Sequence, residues 1–106
     1  MQARFIHDGK SVDFFPTSDI PAGSVVILGS LVGVTKLDVK SNTLGAVAAV
    51  GVYDVEKTNV AVPLGSKVYW DATAKKANLT ATGTTLLGVA VLEATVDDTV
   101  VRVRIG

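Results

Sequence analysis

The segment Pro21-Ala22-Gly23-Ser24-Val25-Val26 decides the fold, because a close copy, Pro63-Leu64-Gly65-Ser66-Lys67-Val68, follows later in the chain. Proline presets φ for a turn and glycine supplies a permissive backbone, so each copy predicts a turn that leads into a strand. A second match, Ser30-Leu31-Val32-Gly33-Val34 with Thr85-Leu86-Leu87-Gly88-Val89, follows in the same order. Short matches arise by chance in such a chain, but their shared order favours an internal strand-turn duplication.

Short apolar runs broken by Gly, Pro, Asn, Asp and Ser predict an all-β fold, in the form of a small β-barrel or β-clip. The clearest strand is Val100 to Ile105, in which apolar residues alternate with Arg102 and Arg104. The other predicted strands are residues 24–28, 31–35, 46–55, 67–70 and 86–92, with weaker candidates at 12–15 and 4–6. Gly45 and Gly51 bracket an alanine-rich run, and we expect another backbone to pass closely there.

Composition favours one domain with one core, since the chain has 106 residues of which 48% are hydrophobic. Its 10 basic and 10 acidic residues balance, so no net field favours nucleic acid or an anionic membrane. The absence of cysteine excludes disulfides, thiolate nucleophiles and Cys-based zinc sites. No apolar run reaches the length of a signal peptide or a membrane span, so neither export nor membrane binding is expected.

The first ten residues precede the main strand pattern, and we predict an N-terminal arm at residues 1–10 and a single β domain at residues 11–106. Ala3-Arg4-Phe5-Ile6 within the arm is short and apolar enough to add a strand to the edge of a partner's sheet. The alternative is that the arm forms the first strand of this domain, held in its own sheet.

No catalytic constellation emerges, and we expect no catalytic residue, no cofactor and no metal. Gly9-Lys10-Ser11 is similar to the end of a P-loop, but the first glycine of that motif would fall at Arg4. His7 is the single histidine, so a surface or packing role is favoured over metal binding. Asp54 and Glu56 share one strand face and can form an acid-base pair, although a solvated face is the commoner meaning.

Four residues are candidates for contacts between subunits. Tyr69 and Trp70 are adjacent in one strand and point to opposite faces, so one is expected in the core and the other is available to a neighbour. Arg102 and Arg104 share the exposed face of the last strand. A surface that binds single-stranded nucleic acid would have aromatic residues between its basic ones, and none lie between these two arginines. A role in solubility or in docking a partner is therefore favoured.

These motifs resemble the small capsid cement, or head decoration, proteins of tailed bacteriophages. The similar segments are Pro21-Ala22-Gly23-Ser24-Val25-Val26, Val32-Gly33-Val34, Gly51-Val52-Tyr53-Asp54-Val55, Gly65-Ser66-Lys67-Val68-Tyr69-Trp70-Asp71, Leu87-Gly88-Val89-Ala90 and Asp98-Thr99-Val100-Val101-Arg102-Val103-Arg104-Ile105. Some relatives of this kind carry a recombinase-like label, which the failed P-loop does not support. The resemblance implies a β-clip or β-tulip architecture and a structural protein without catalysis.

The resemblance also implies a place in the virion. Such a protein binds the outside of the capsid as a homotrimer at three-fold and quasi-three-fold positions, after assembly in the host cytoplasm, and stabilises the shell of the major capsid protein. A trimer multiplies modest contacts through effective concentration, so no strong charge or deep pocket is needed. The candidates for capsid contact are the arm residues Gln2, Ala3, Arg4, Phe5 and Ile6.

Two other functions stay open from the residues alone. A carbohydrate- or ligand-binding β-clip module would use a shallow groove lined by the turn from Asp71 to Asn78, and exposed aromatic residues in a groove would favour it. A small enzyme would use Asp54 and Glu56 or His7, but no coherent constellation supports it.

Overall fold

The computed structural model describes residues 2–106, and all regular secondary structure in that range consists of β-strands. The strands are β1 (Ser11–Phe14), β2 (Val25–Leu28), β3 (Leu31–Val34), β4 (Gly45–Ala48), β5 (Gly51–Glu56), β6 (Lys67–Asp71), β7 (Lys76–Asn78), β8 (Thr85–Ala90) and β9 (Val100–Ile105). The predicted all-β class is therefore confirmed. None of the residues in 2–106 forms a helix with the length and apolarity needed to cross a membrane.

The strands form two antiparallel sheets, and each sheet is built from one continuous part of the chain. The first sheet has the order β1-β4-β3-β2, and the second has the order β5-β9-β8-β6-β7. If β7 is set aside, the two orders are the same: β5, β6, β8 and β9 take the places of β1, β2, β3 and β4. A parallel bridge between Lys57 and Ala77 joins β7 to the residue after β5, so the second sheet curls until its edges meet at one point. No continuous ladder joins β5 to β7, and the sheet is not a closed barrel.

The two Pro-x-Gly-Ser turns are bonded to their sheets in the same way. The Gly23 N–H donates to the Thr35 carbonyl at 2.7 Å, and the Gly65 N–H donates to the Ala90 carbonyl at 2.8 Å. The N–H groups of Thr35 and Ala90 donate back to the serine that follows each glycine, at 3.0 and 2.9 Å. Both glycines have a positive φ, 80° and 85°, which a residue with a Cβ rarely adopts. Each turn therefore enters its sheet with the same backbone arrangement.

The main core lies where the two sheets meet. It is formed by side chains from β3, β5, β6, β7, β8 and β9 and from the connecting segments: Val32, Val34, Val55, Val62, Val68, Ala77, Leu87, Ala90, Ala94, Val101, Val103 and Ile105. A smaller cluster, Phe14, Val39 and Val47, lies within the first sheet's half of the chain. Strand β9 alternates buried and exposed residues along its whole length, as its sequence predicts.

The prediction of one strand over residues 46–55 is wrong. Strand β4 ends at Ala48 and β5 begins at Gly51, and the two belong to different sheets. The break is possible because Gly51 has a φ of 141°, which favours glycine. The prediction that another backbone passes close to these two glycines is also wrong, because their nearest neighbours are side chains. A Cβ at Gly51 would meet the ring of Tyr53 at 3.1 Å, and a Cβ at Gly45 would meet the side chain of Val39.

Three smaller predictions also differ from the structure. Residues 4–6 form no strand, and the predicted strand 86–92 ends at Ala90 because the chain bends away there. The segment from Asp71 to Asn78, predicted as a turn, ends in the short strand β7, which pairs antiparallel with β6.

Candidate functional site

The arm extends from the domain without a sheet partner. Residues 2–8 are all exposed, and Phe5 and Ile6 expose 79% and 73% of their surface. The Gly9 N–H donates to His7 Nδ1 at 2.9 Å, a bond local to the end of the arm. The alternative in which the arm is the first strand of its own sheet is wrong, since β1 begins at Ser11. Met1 lies outside the described residues.

The residues proposed for an enzyme do not form a catalytic group. His7 is exposed on the arm and is far from Asp54 and Glu56 in sequence. Its ring accepts a hydrogen bond from the nearby Gly9 N–H. Asp54 is held by an arginine instead of pairing with Glu56. Within residues 2–106, no three His, Cys, Asp or Glu side chains lie close enough together to hold a metal ion.

Asp54 and Arg102 face each other across the β5–β9 ladder and form a two-point ion pair. Arg102 Nε donates to Asp54 Oδ1 at 2.9 Å, and Arg102 Nη2 donates to Oδ2 at 3.2 Å. These hydrogen bonds are the main cause that lowers the pKa of Asp54 below its usual value. The same bonds raise the pKa of Arg102. Arg102, predicted to dock a partner, is therefore occupied within its own chain.

Arg104 lies on the same outer face of the second sheet as Arg102. It stands opposite Val52 on β5 and Val89 on β8, whose side chains are 56% and 41% exposed. Lys67 stands opposite Val89 on the other side. This outer row therefore mixes apolar and basic side chains that are open to a partner.

A bulge at Leu87 of β8 sets the register of the two adjacent aromatic residues of β6. The register between β6 and β8 shifts between Val68 and Tyr69, so Tyr69 stands opposite the exposed Leu86. Trp70 stands opposite the buried Ala77, and its ring packs against the main core. Trp70 is thus the core-packing member of the pair, while Tyr69 stands beside an exposed leucine.

A cleft of about 860 Å³ opens between the two sheets, beside the outer edge of β5. Its lining includes the consecutive residues Tyr53 to Glu56, together with Trp70 and Lys75. Val25 and Ile27 of β2 also line it. The lining therefore combines aromatic and aliphatic side chains with charged ones.

The structure brings together residues that the sequence reasoning kept apart. Trp70 was predicted as a candidate for contact between subunits, and Lys75 lies in the turn that was predicted to line a groove. Tyr53 was not predicted to belong to any site. Tyr53 follows Gly51 by two residues in a Val-containing strand, and only the sheet order reveals that this strand lies at an edge. Each ring is partly exposed and also packs against the core, so each presents only part of its surface to the cleft.

Comparison with known proteins identifies one family. The sequence model described as phage cement protein matches residues 6–105 of the chain. No curated protein and no solved structure matches it.

Proposed function

The chain belongs to the phage cement protein family, and we propose that it binds the outer surface of a phage capsid and stabilises the shell of the major capsid protein. Family membership makes it a structural, capsid-associated virion protein. The match over residues 6–105 is the observation that carries the proposal. A family of this kind fits a protein without catalysis.

We propose that the arm supplies one contact with the shell, through Gln2, Ala3, Arg4, Phe5 and Ile6. The exposure of Phe5 and Ile6 supports this, because two large apolar side chains gain free energy when a partner removes them from water. An extended segment without a sheet partner is also suited to pair with a strand at the edge of another sheet.

We propose that the bound form is a homotrimer at three-fold and quasi-three-fold sites, formed in the host cytoplasm before or during decoration. Tyr69, Trp70, Arg102 and Arg104 remain the candidates for contacts between subunits. The exposed row that contains Arg104 supports this assignment, because Val52 and Val89 flank it. Arg102 is the weakest of the four candidates, since Asp54 already binds it.

We propose further that the fold is a β-clip made of two copies of one strand-turn unit. The equal strand order of the two sheets supports a duplication, as do the matched hydrogen bonds of Gly23 and Gly65. In each copy the same glycine-containing pair follows, with Val26 opposite Gly33 and Val68 opposite Gly88.

The test of this function uses expanded capsids that lack the protein. Purified protein is added, and the temperature at which the shells break is followed by light scattering. We expect a saturable rise in that temperature, with three copies bound at each three-fold site by cryo-electron microscopy. Shells that bind no protein at saturating concentration would rule the function out.

The role of the arm is tested with a matched pair of variants. Phe5→Ser with Ile6→Ser is expected to weaken binding to shells, because it removes the exposed apolar side chains. Leu37→Ser with Leu44→Ser, at side chains that are 78% and 61% exposed but outside the arm, serves as the control. Equal binding by both variants would show that the arm is not the contact.

A further inference from the structure

Strand β5 is an edge strand whose free side faces the cleft. Its backbone pairs with β9 on one side. On the other side, within residues 2–106, no ladder is formed, and β7 meets the chain only at the bridge between Ala77 and Lys57, just past the end of β5. In an antiparallel sheet alternate residues point their N–H and C=O groups away from the partner, so an edge strand carries unused donors and acceptors. The consecutive lining residues Tyr53 to Glu56 place these groups along the cleft. The site is therefore suited to an extended peptide strand.

The side chains around this edge define which strand would fit. Tyr53, Trp70 and Ile27 contribute apolar surface to the cleft. Glu56 also lines it, and no ion pair within residues 2–106 uses Glu56. A fitting strand would carry large apolar side chains together with a basic one.

The arm of this same chain has that composition. Phe5 and Ile6 are among the most exposed apolar side chains of residues 2–106, and Arg4 precedes them. The segment Gln2 to His7 contains no acidic residue that would be repelled by Glu56. The chain therefore carries both an exposed arm and an edge with no ladder along Tyr53 to Glu56, and the two complement each other in apolar character and in charge.

We propose that the cleft beside β5 binds the arm of a second copy of this chain. The arm would extend the second sheet by one strand, with Arg4 next to Glu56 of the receiving copy. Such a contact is heterologous, because a different surface is used by each partner, and it closes into a ring when the rotation from one copy to the next is a whole fraction of a turn. The proposal deepens the proposed function, since a ring of three copies would be the trimer assigned there.

Strand alternation allows the arm to serve both partners. Neighbouring side chains of a strand point to opposite faces, so Ala3 and Phe5 would point into the cleft while Arg4 and Ile6 would stay outside. Phe5 would then contact Trp70 of the receiving copy, and Ile6 would remain available to the shell. Phe5 and Arg4 would therefore join the copies, and Ile6 would be left for contact with the capsid.

A charge exchange tests the contact between Arg4 and Glu56. Arg4→Glu and Glu56→Arg should each weaken self-association about tenfold, measured by sedimentation equilibrium, and the double variant should recover most of the loss. Both side chains are exposed, so folding is not at risk. Glu93→Arg, an exposed acid that does not line the cleft, is the matched control and should associate as the original chain does.

The single tryptophan of the chain gives a direct reading of the cleft, because it is Trp70. A synthetic peptide with the sequence of residues 2–8 should shift Trp70 emission to shorter wavelength in a saturable manner and should dissociate the oligomer. The same peptide with Phe5 replaced by Ser should do neither. Lys75→Gln is expected to alter the titration, whereas Lys76→Gln, beside it but outside the cleft, is not.

Several results would overturn the inference: a chain that stays monomeric at all concentrations, a double exchange without recovery, or an oligomer that survives deletion of residues 2–8. A saturable emission shift with methyl glycosides but not with the peptide would assign the cleft to carbohydrate instead. Shell stabilisation is measured separately, so a protein that associates through its arm but binds no shell would contradict the proposed function and leave this inference standing.

Discussion

Gly88 of β8 lies directly against Arg104 of β9, so closely that a Cβ on Gly88 would overlap the carbonyl oxygen of Arg104. The same Cβ would lie 2.9 Å from Cγ1 of Val103, a residue of the main core. Glycine is required here by space alone, because its φ is not in the positive range. The close approach lets the backbone of β8 pass beside β9 while the core side chains remain packed.

Gly88→Ala is therefore expected to lower the free energy of unfolding by about 3 kcal/mol, since backbone atoms cannot move aside as a flexible side chain can. Urea denaturation measures the change. Gly83→Asn is the control: Gly83 has a φ of 73° and open space around its Cβ position, and asparagine tolerates that conformation. Similar losses in both variants would contradict a steric cause at Gly88.

The ion pair between Asp54 and Arg102 predicts a pH dependence of stability. Because the folded-state pKa of Asp54 lies below its usual value of 3.8, the pair stabilises the fold above that value. The contribution is lost as the pH falls through the lowered pKa. The difference in unfolding free energy between the original chain and Asp54→Asn should be constant near neutral pH and should vanish in strong acid.

The control for this pH effect is Glu56→Gln, which lies on the same face of β5 but in no ion pair of residues 2–106. It should show no comparable change between neutral and acidic pH. High salt should also shrink the Asp54→Asn difference, since both partners are about half exposed and are screened by ions. A difference that persists in strong acid would show that Asp54 contributes through packing instead.

Lys57 is buried, with 3% of its surface exposed, and its Nζ donates to the carbonyls of Thr58 at 3.1 Å and Val60 at 2.8 Å. Lys57→Met should lower the free energy of unfolding by about 2 kcal/mol, because two partly buried carbonyls lose their donor. Lys67→Met, at an exposed lysine, should change it by less than about 0.5 kcal/mol. Thermal unfolding followed by circular dichroism distinguishes the two.

Deletion of residues 2–8 should leave the stability of the monomeric domain unchanged within about 0.5 kcal/mol, because all of these residues are exposed. The measurement is urea denaturation at a protein concentration at which no oligomer is present. A large loss would show that the arm is part of the folded domain, against the division at residue 10.

Local patterns predicted the parts of the fold that depend on neighbouring residues. Strand β9 could be predicted to its exact ends because its alternation is regular. The division between β4 and β5 could not, since Ala49 and Val50 are as apolar as the strands beside them. The three-residue β7 begins with a lysine and is too short to show a period.

The candidate site could be predicted less well than the fold, because it depends on the register between strands, which a single sequence does not reveal. Asp54 and Arg102 are 48 residues apart, and only the β5–β9 ladder shows that they pair. The buried state of Lys57 had no local signal, because lysine is ordinarily exposed. The division between the arm and the β domain was predicted from the apolar residues that precede the main strand pattern, and it stays a prediction.

Because each sheet is a continuous part of the chain, the ribosome completes one before it begins the other. Val32 and Val34 of the first sheet pack in the final core against residues such as Val103, which belongs to β9 and is made much later than they are. At roughly 5–20 residues per second, those apolar surfaces wait for seconds without their partners. Strand β9 then enters between β5 and β8. Of the nine strands in residues 2–106, the one synthesised after all the others is thus an interior strand, and a chain released before it would leave the core open.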